Sequence, residues 1–191
     1  MPNYEEIYDR TFAENTGYQN WIGSPGVRLV FLNQDQIQRT GKKHLDYGCG
    51  AGFVVELMRS YVFEKESYGV DVSSEMCKAA NSRLGGEFAL KIEDKKGPFP
   101  DDNFDIITCF DVLEHVDEED VEAIKADIMR LLAPGGVFFC NISLKPSVSV
   151  DHNGENLHRT VKPASWWDDI FAFDSFDVQK SRMEMTAWKR V

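Results

Sequence analysis

The chain of 191 residues has no apolar run near the roughly 18 residues that a membrane-spanning helix needs, so no membrane partner is expected. Its first residues, MPNYEEIYDRTF, are acidic and lack the basic start of a secretory signal. Cysteine is sparse: Cys49, Cys77, Cys109 and Cys140, with no two at the spacing of a zinc or dithiol motif. Cys109 and Cys140 fall inside apolar runs, where a reduced, buried thiol is expected, and a cytoplasmic setting follows. The sequon at Asn141 ends one of those runs, which reads against glycosylation. Positive charge is scarce too. Lys and Arg number 21 against 32 Asp and Glu, a net charge of −11, with few basic clusters, so no nucleic-acid partner is expected. There are no repeats and no low-complexity stretches, and nothing in the composition fixes an oligomeric state.

What is present suits a folded globule: 42% hydrophobic and 12% aromatic residues, in a length typical of one domain, 1–191. From residue 43 onward strand-like and helix-like segments alternate. KHLDYG, SYGVDV, EFALKI, FDIITCF and VFFCNI read as strands, the fourth buried on both faces. Val54, Leu57, Met58 and Tyr61 recur as a helical face. Ser73 or Ser74 caps a second helix and Asp117 a third, which Pro134, Gly135 and Gly136 end. This order predicts an α/β fold, a doubly wound and mostly parallel sheet with helices on both faces, whose ligand sits beyond the C-terminal strand ends. In residues 1–42, Tyr4, Ile7, Tyr8 and Phe12 share a helical face, and a second helix spans roughly 26–40. Residues 143–162 read as a polar loop. Pro163 opens a last helix carrying Trp167, Ile170 and Phe171, and FDVQKSRMEM and TAWKRV read as two final strands.

The stretch HLDYGCGAGF sets Gly48, Gly50 and Gly52 behind Asp46 at a strand-to-helix turn. Residues without Cβ allow such a turn, and the helix start favours negative charge. Asp71 ends the second strand, where a carboxylate accepts hydrogen bonds from ribose hydroxyls. An adenosine-type cofactor is implied. The NAD fingerprint G-x-G-x-x-G is broken, because Phe53 stands at the third place and Gly52 comes one residue early. No Gly-Lys-Ser/Thr follows, which excludes a P-loop.

LDYGCGAG, YGVDVS, GPFPDDNFDIITCFDVLEHV and LLAPGGVFFCNI, in that order, resemble the motifs of class I S-adenosylmethionine-dependent methyltransferases across about residues 43–142. The resemblance implies a seven-stranded Rossmann-like sheet with a C-terminal antiparallel strand. It divides the chain into an N-terminal helical lid, 1–42, a cofactor-binding core, 43–142, and an acceptor segment with the last helix and strands, 143–191. It places Asp46, Gly48, Gly50 and Gly52 around the methionine part of the cofactor and Asp71 on the ribose. Val72 and Met76 pack on the adenine, Glu93 and Asp94 lie at its edge, and Phe110, Asp111 and Val112 lie along the sulfonium side. The family's usual pattern at the adenine edge reads IED here. Cys49 reads as a small filler in the loop.

FDVL stands where amino-methylating DNA enzymes of this family carry Asn/Asp-Pro-Pro-aromatic, and no Pro-Cys pair exists for cytosine C5 chemistry. A small-molecule acceptor is expected, with O-methylation favoured over N-methylation. Tyr4, Tyr8 and Trp21 in the lid can face the cationic sulfonium. His158 and His115 are the candidate bases, His152 is a weaker one, and His44 opens a strand away from the pocket. Arg159 and Lys162 offer anion binding to the acceptor. The histidines and nearby acids have no recognised ligand spacing, so no metal is expected. A catalytically silent cofactor-binding domain and an NAD-dependent reductase are the alternative readings.

Overall fold

The computed structural model describes residues 3–14 and 24–191. Its sheet has strands β1 (Lys43–Tyr47), β2 (Glu66–Asp71), β3 (Ala89–Lys91), β4 (Phe104–Phe110), β5 (Leu132–Ser143), β6 (Ser175–Gln179) and β7 (Glu184–Arg190). They lie in the order β3-β2-β1-β4-β5-β7-β6. β1 to β5 run parallel, and β7 enters antiparallel between β5 and β6. The strand order therefore reverses between β1 and β4, and the crevice above their C-terminal ends is where such sheets bind ligands.

Helices α1 (Tyr4–Glu14), α2 (Pro25–Leu32), α3 (Gln34–Gln38), α4 (Phe53–Arg59), α5 (Ser74–Leu84), α6 (Val121–Leu131) and α7 (Ala164–Phe171) surround the sheet. The period of two along the strands divides the core. Leu45, Tyr47, Ile107, Cys109, Phe138 and Cys140 pack with α6 and with Trp167 and Phe171 of α7. Ile106, Phe110 and Phe139 face the other way, against α2, α3 and α4. All of β4 but Asp105 is buried, as an interior parallel strand requires. Among the described residues no helix is long and apolar enough to cross a membrane.

Several local expectations are corrected. The helix expected over 26–40 is two, because Asn33 leaves helical geometry and its side-chain amide donates to the Leu29 carbonyl. Tyr61 lies past the end of α4 and is 89% exposed, so it does not extend that face. Ser73 caps α5, its Oγ accepting from the Met76 amide at 3.1 Å. Asp117 makes no such bond; its own amide donates to the Tyr4 hydroxyl, and a 3-10 turn at Glu118–Asp120 leads into α6. α6 stops at Leu131, before Pro134 and the glycines, which fall inside the irregular start of β5. The final hairpin turns between Gln179 and Glu184, so Glu184 and Met185 belong to β7.

Candidate active site

The C-terminal ends of β1, β2 and β4 open into a cavity of about 1040 Å³. The glycine loop forms its floor. Gly48, Gly50 and Gly52 have φ of 80°, 51° and 80°, a region that glycine adopts without strain. A Cβ on Gly48 would lie 2.3 Å from Val112 Cγ2, and one on Gly52 2.9 Å from the Ala80 Cβ. On Gly50 it would meet only Met76 Sδ, at 3.9 Å. Two of the three glycines thus serve close packing, and Gly50 leaves bare backbone toward the cavity. Cys49 is seated against Gly69 of β2, where a Cβ would come 2.6 Å from its sulfur. Burial, with Asp71 and Asp46 nearby, holds its thiol protonated, which fits the reading of Cys49 as a filler.

Asp71 accepts from the Gly50 amide at 2.8 Å through Oδ2 and from the Ser73 amide at 2.9 Å through Oδ1. A carboxylate has about four lone-pair sites, so acceptor capacity is left for a ribose. Asp46 is buried beneath the loop. A hydrogen-bond chain reaches it from Ser67 through the His44 ring to Thr108, whose hydroxyl donates to Asp46 Oδ1 at 2.7 Å. His44 is therefore structural, and burial lowers its pKa to about 3. Burial pushes Asp46 up to about 7, with the Asp71 charge adding to the effect.

Val72, Met76, Glu93, Asp94, Phe110, Asp111 and Val112 all line the same cavity. Asp111 sits at φ 51°, and Asn141 of β5 clamps it, receiving the Asp111 amide on Oδ1 and donating from Nδ2 to its carboxylate. Burial raises Asp111 to about 6. Asn141 is 1% exposed, which excludes its sequon from glycosylation. Its role was hidden in the sequence, because its partner lies on the neighbouring strand.

His115 and His158 meet at the far wall, ring centroids 4.8 Å apart and edge to face. His115 Nδ1 bonds the Leu157 carbonyl at 3.0 Å and His158 Nδ1 the Lys145 carbonyl at 2.6 Å. Burial, then the neighbouring His158, lowers His115 to about 4. Glu114, which the sequence did not single out, is buried beside them. Potential ligand atoms of Glu114, His115 and His158 lie within 4.8 Å of one another, a proximity their spacing in the sequence did not display. Only their separation along the chain had hidden this.

The remaining candidates, Arg159, Lys162 and His152, lie outside the cavity lining. Arg159 pairs with Asp151 at 2.6 Å and with Glu155, and Lys162 with Glu118 at 2.7 Å, so these cations are neutralised within the chain. His152 lies 3.9 Å from Glu6 and lines a separate smaller hollow. Trp21 lies outside the described residues. Tyr4 and Tyr8 of α1 line the cavity, and Tyr8 meets the His115 ring edge-on. α1 is tied down over it by Ser73 Oγ to Asp9 and Ser74 Oγ to Glu5, each at 2.5 Å, and by Lys91 to Glu5 at 2.8 Å.

Comparison with known proteins agrees with this geometry. A model of the methyltransferase domain family matches residues 45–140. A ubiquinone biosynthesis O-methyltransferase of Thiobacillus denitrificans is 36% identical over 150 residues, 75% of this chain and 62% of that protein. An uncharacterized methyltransferase of Schizosaccharomyces pombe is 36% identical over 107 residues, 50% of this chain but 38% of that protein. The chain thus spans less than two thirds of these curated relatives. The structure of Haemonchus contortus phosphoethanolamine N-methyltransferase 2, in complex with S-adenosyl-L-methionine, superposes with a TM-score of 0.74 at 20% identity, over 95% of this chain and 47% of that one, and shows the fold alone. The open space at Gly50, the acceptor Asp71 and the buried acid Asp46 suit an adenosine carrying a cationic tail. With half of its length inside that family model and its sheet built in the same manner, the chain belongs to the class I S-adenosylmethionine-dependent methyltransferases.

Proposed function

We propose that the chain moves a methyl group from S-adenosylmethionine to a hydroxyl oxygen of a small-molecule acceptor. The observation that carries this reading is one cavity whose lining holds both the glycine loop with Asp71 and the pair His115 and His158. When bound, S-adenosylmethionine supplies a methyl already activated by its sulfonium. The chain's own residues supply position. Asp46 and the loop of Gly48, Gly50 and Gly52 would hold the methionine part, Asp71 the ribose, Val72 and Met76 the adenine faces, and Glu93 and Asp94 its edge. Phe110 and Asp111 would flank the reacting side. Holding nucleophile and methyl in line is the larger part of such catalysis. α1 contributes Tyr4, Glu5 and Tyr8 to the cavity lining.

A hydroxyl acceptor has a proton to lose. A carbonyl can only accept, so the Nδ1 contacts of His158 and His115 place their ring protons on Nδ1 and leave Nε2 free to take up another. The Nδ1 contact of His158 is the more exposed of the two, and His158 is the favoured base. The name of the Thiobacillus relative supports oxygen over nitrogen as the accepting atom.

A screen across phenols, catechols, sugars and amines, read as release of S-adenosylhomocysteine, tests the reading. Turnover on hydroxyl acceptors is expected. Turnover on amines alone would overturn the oxygen assignment, and cofactor binding without turnover on any acceptor would leave a silent binding domain. His158→Ala should lower kcat and spare S-adenosylmethionine affinity; full activity would remove His158 from the reaction.

A further inference from the structure

Glu114 carries an anomaly. Its side chain is 0% exposed, Oε1 accepts from the Ser143 amide at 2.9 Å, and Oε2 has no hydrogen-bond partner. A buried carboxylate oxygen left unpaired is costly and calls for an explanation. Among the described residues no lysine or arginine pairs with it, and the charges that act on it, those of Asp111 and Glu184, are negative. Beside it stand two imidazoles whose Nδ1–H groups are each fixed on a backbone carbonyl. Metal-binding histidines are oriented in this way, the second nitrogen being left as the donor.

We propose that Glu114, His115 and His158 form a binding site for one divalent transition-metal ion, held by Glu114 Oε2 and the two Nε2 atoms. One potential ligand atom from each of the three residues lies within 4.8 Å of the others, and all three residues line the main cavity. Two imidazoles and one carboxylate suit zinc, cobalt, iron(II) or manganese better than magnesium or calcium, which prefer oxygen alone. Three protein ligands leave coordination positions free, as in catalytic metal sites. Those positions would face the acceptor end of the cavity. On the methyl-transfer reading, a bound ion would lower the pKa of an acceptor hydroxyl and so take over the task assigned above to His158 as base, with the proton passing to solvent water.

The metal site has a test that needs no turnover. The full chain, freed of metal by a chelator, is titrated with Co²⁺ followed by visible absorption and with Zn²⁺ followed by calorimetry. One saturable site is expected. His158→Ala, at a half-buried position, and Glu114→Gln should each weaken it at least about tenfold, with the fold checked by circular dichroism. His152→Ala should leave it unchanged. No saturable binding, or wild-type affinity in the His158→Ala variant, overturns the proposal and leaves the methyl-transfer reading standing. Metal binding without any methyl transfer gives the converse.

Discussion

Asp46 and Asp71 share the floor of the cavity, and their surroundings give them different tasks. Burial pushes Asp46 up to about 7, and the Asp71 charge adds to the shift. Only its ionised form attracts the cationic end of S-adenosylmethionine. Affinity should therefore fall as pH drops through 7, by about tenfold between pH 8 and pH 6. Calorimetry across that range checks this; Asp46→Asn should flatten the profile, and an unchanged slope in the variant would assign the titration elsewhere. Asp71 holds two backbone amides and, on the proposed reading, also accepts from the ribose. Asp71→Ala should weaken S-adenosylmethionine by about tenfold to a hundredfold, since bonds to a charged acceptor contribute about 1.5–3 kcal/mol. Asp71→Asn, which keeps one acceptor, should fall between, and unchanged affinity in the alanine variant would refute the ribose role. The places of both aspartates in the cavity lining were legible in the sequence, because each lies at or next to the end of a strand beside a local signal. Glu114 and Asn141 were not, because Ser143 and Asp111, which explain them, arrive from distant parts of the chain.

At the scale of elements, the turn from β1 into α4 is where substitution should separate packing from binding. Gly48→Ala puts a Cβ into Val112 at a positive φ, so it should lower the urea midpoint by the equivalent of about 1–3 kcal/mol and abolish cofactor binding. Gly50→Ala shares the strain of a positive φ but its Cβ meets only Met76 Sδ, at 3.9 Å, so it should cost less stability while still weakening the cofactor. Equal stability losses in the two variants would contradict this division. α7 docks through Trp167, fully buried, and Phe171; Trp167→Ala should cost about 3–5 kcal/mol in equilibrium unfolding. The element was readable because Pro163 and the spacing of its apolar residues are local signals. The break at Asn33 was less so, since an asparagine can continue or end a helix and a side-chain bond to Leu29 decides it. The entry into α6 likewise depends on Tyr4, more than a hundred residues away, taking the Asp117 amide.

The molecule as a whole carries a net charge of −11, and its cavity repeats that imbalance. Lys91 and Lys95 line it, but each is paired with a carboxylate, Glu5 and Asp120. A cationic donor is drawn into such a field, whereas its product, having lost the sulfonium charge, is not. Association of S-adenosylmethionine, measured by stopped flow, should therefore slow as salt is raised, and that of S-adenosylhomocysteine should not. Equal salt dependence would rule out steering by the cavity. The placement of β7 between β5 and β6 has a consequence of another kind. During synthesis on the ribosome, β1 to β5 emerge first and can pair with one another, while the apolar run of β5 remains an open edge. Nothing made earlier can cover it, since its partner is the segment Glu184–Arg190. The nascent chain must therefore carry a sticky sheet margin until that late segment clears the exit tunnel, and this interval is when the protein most needs a chaperone.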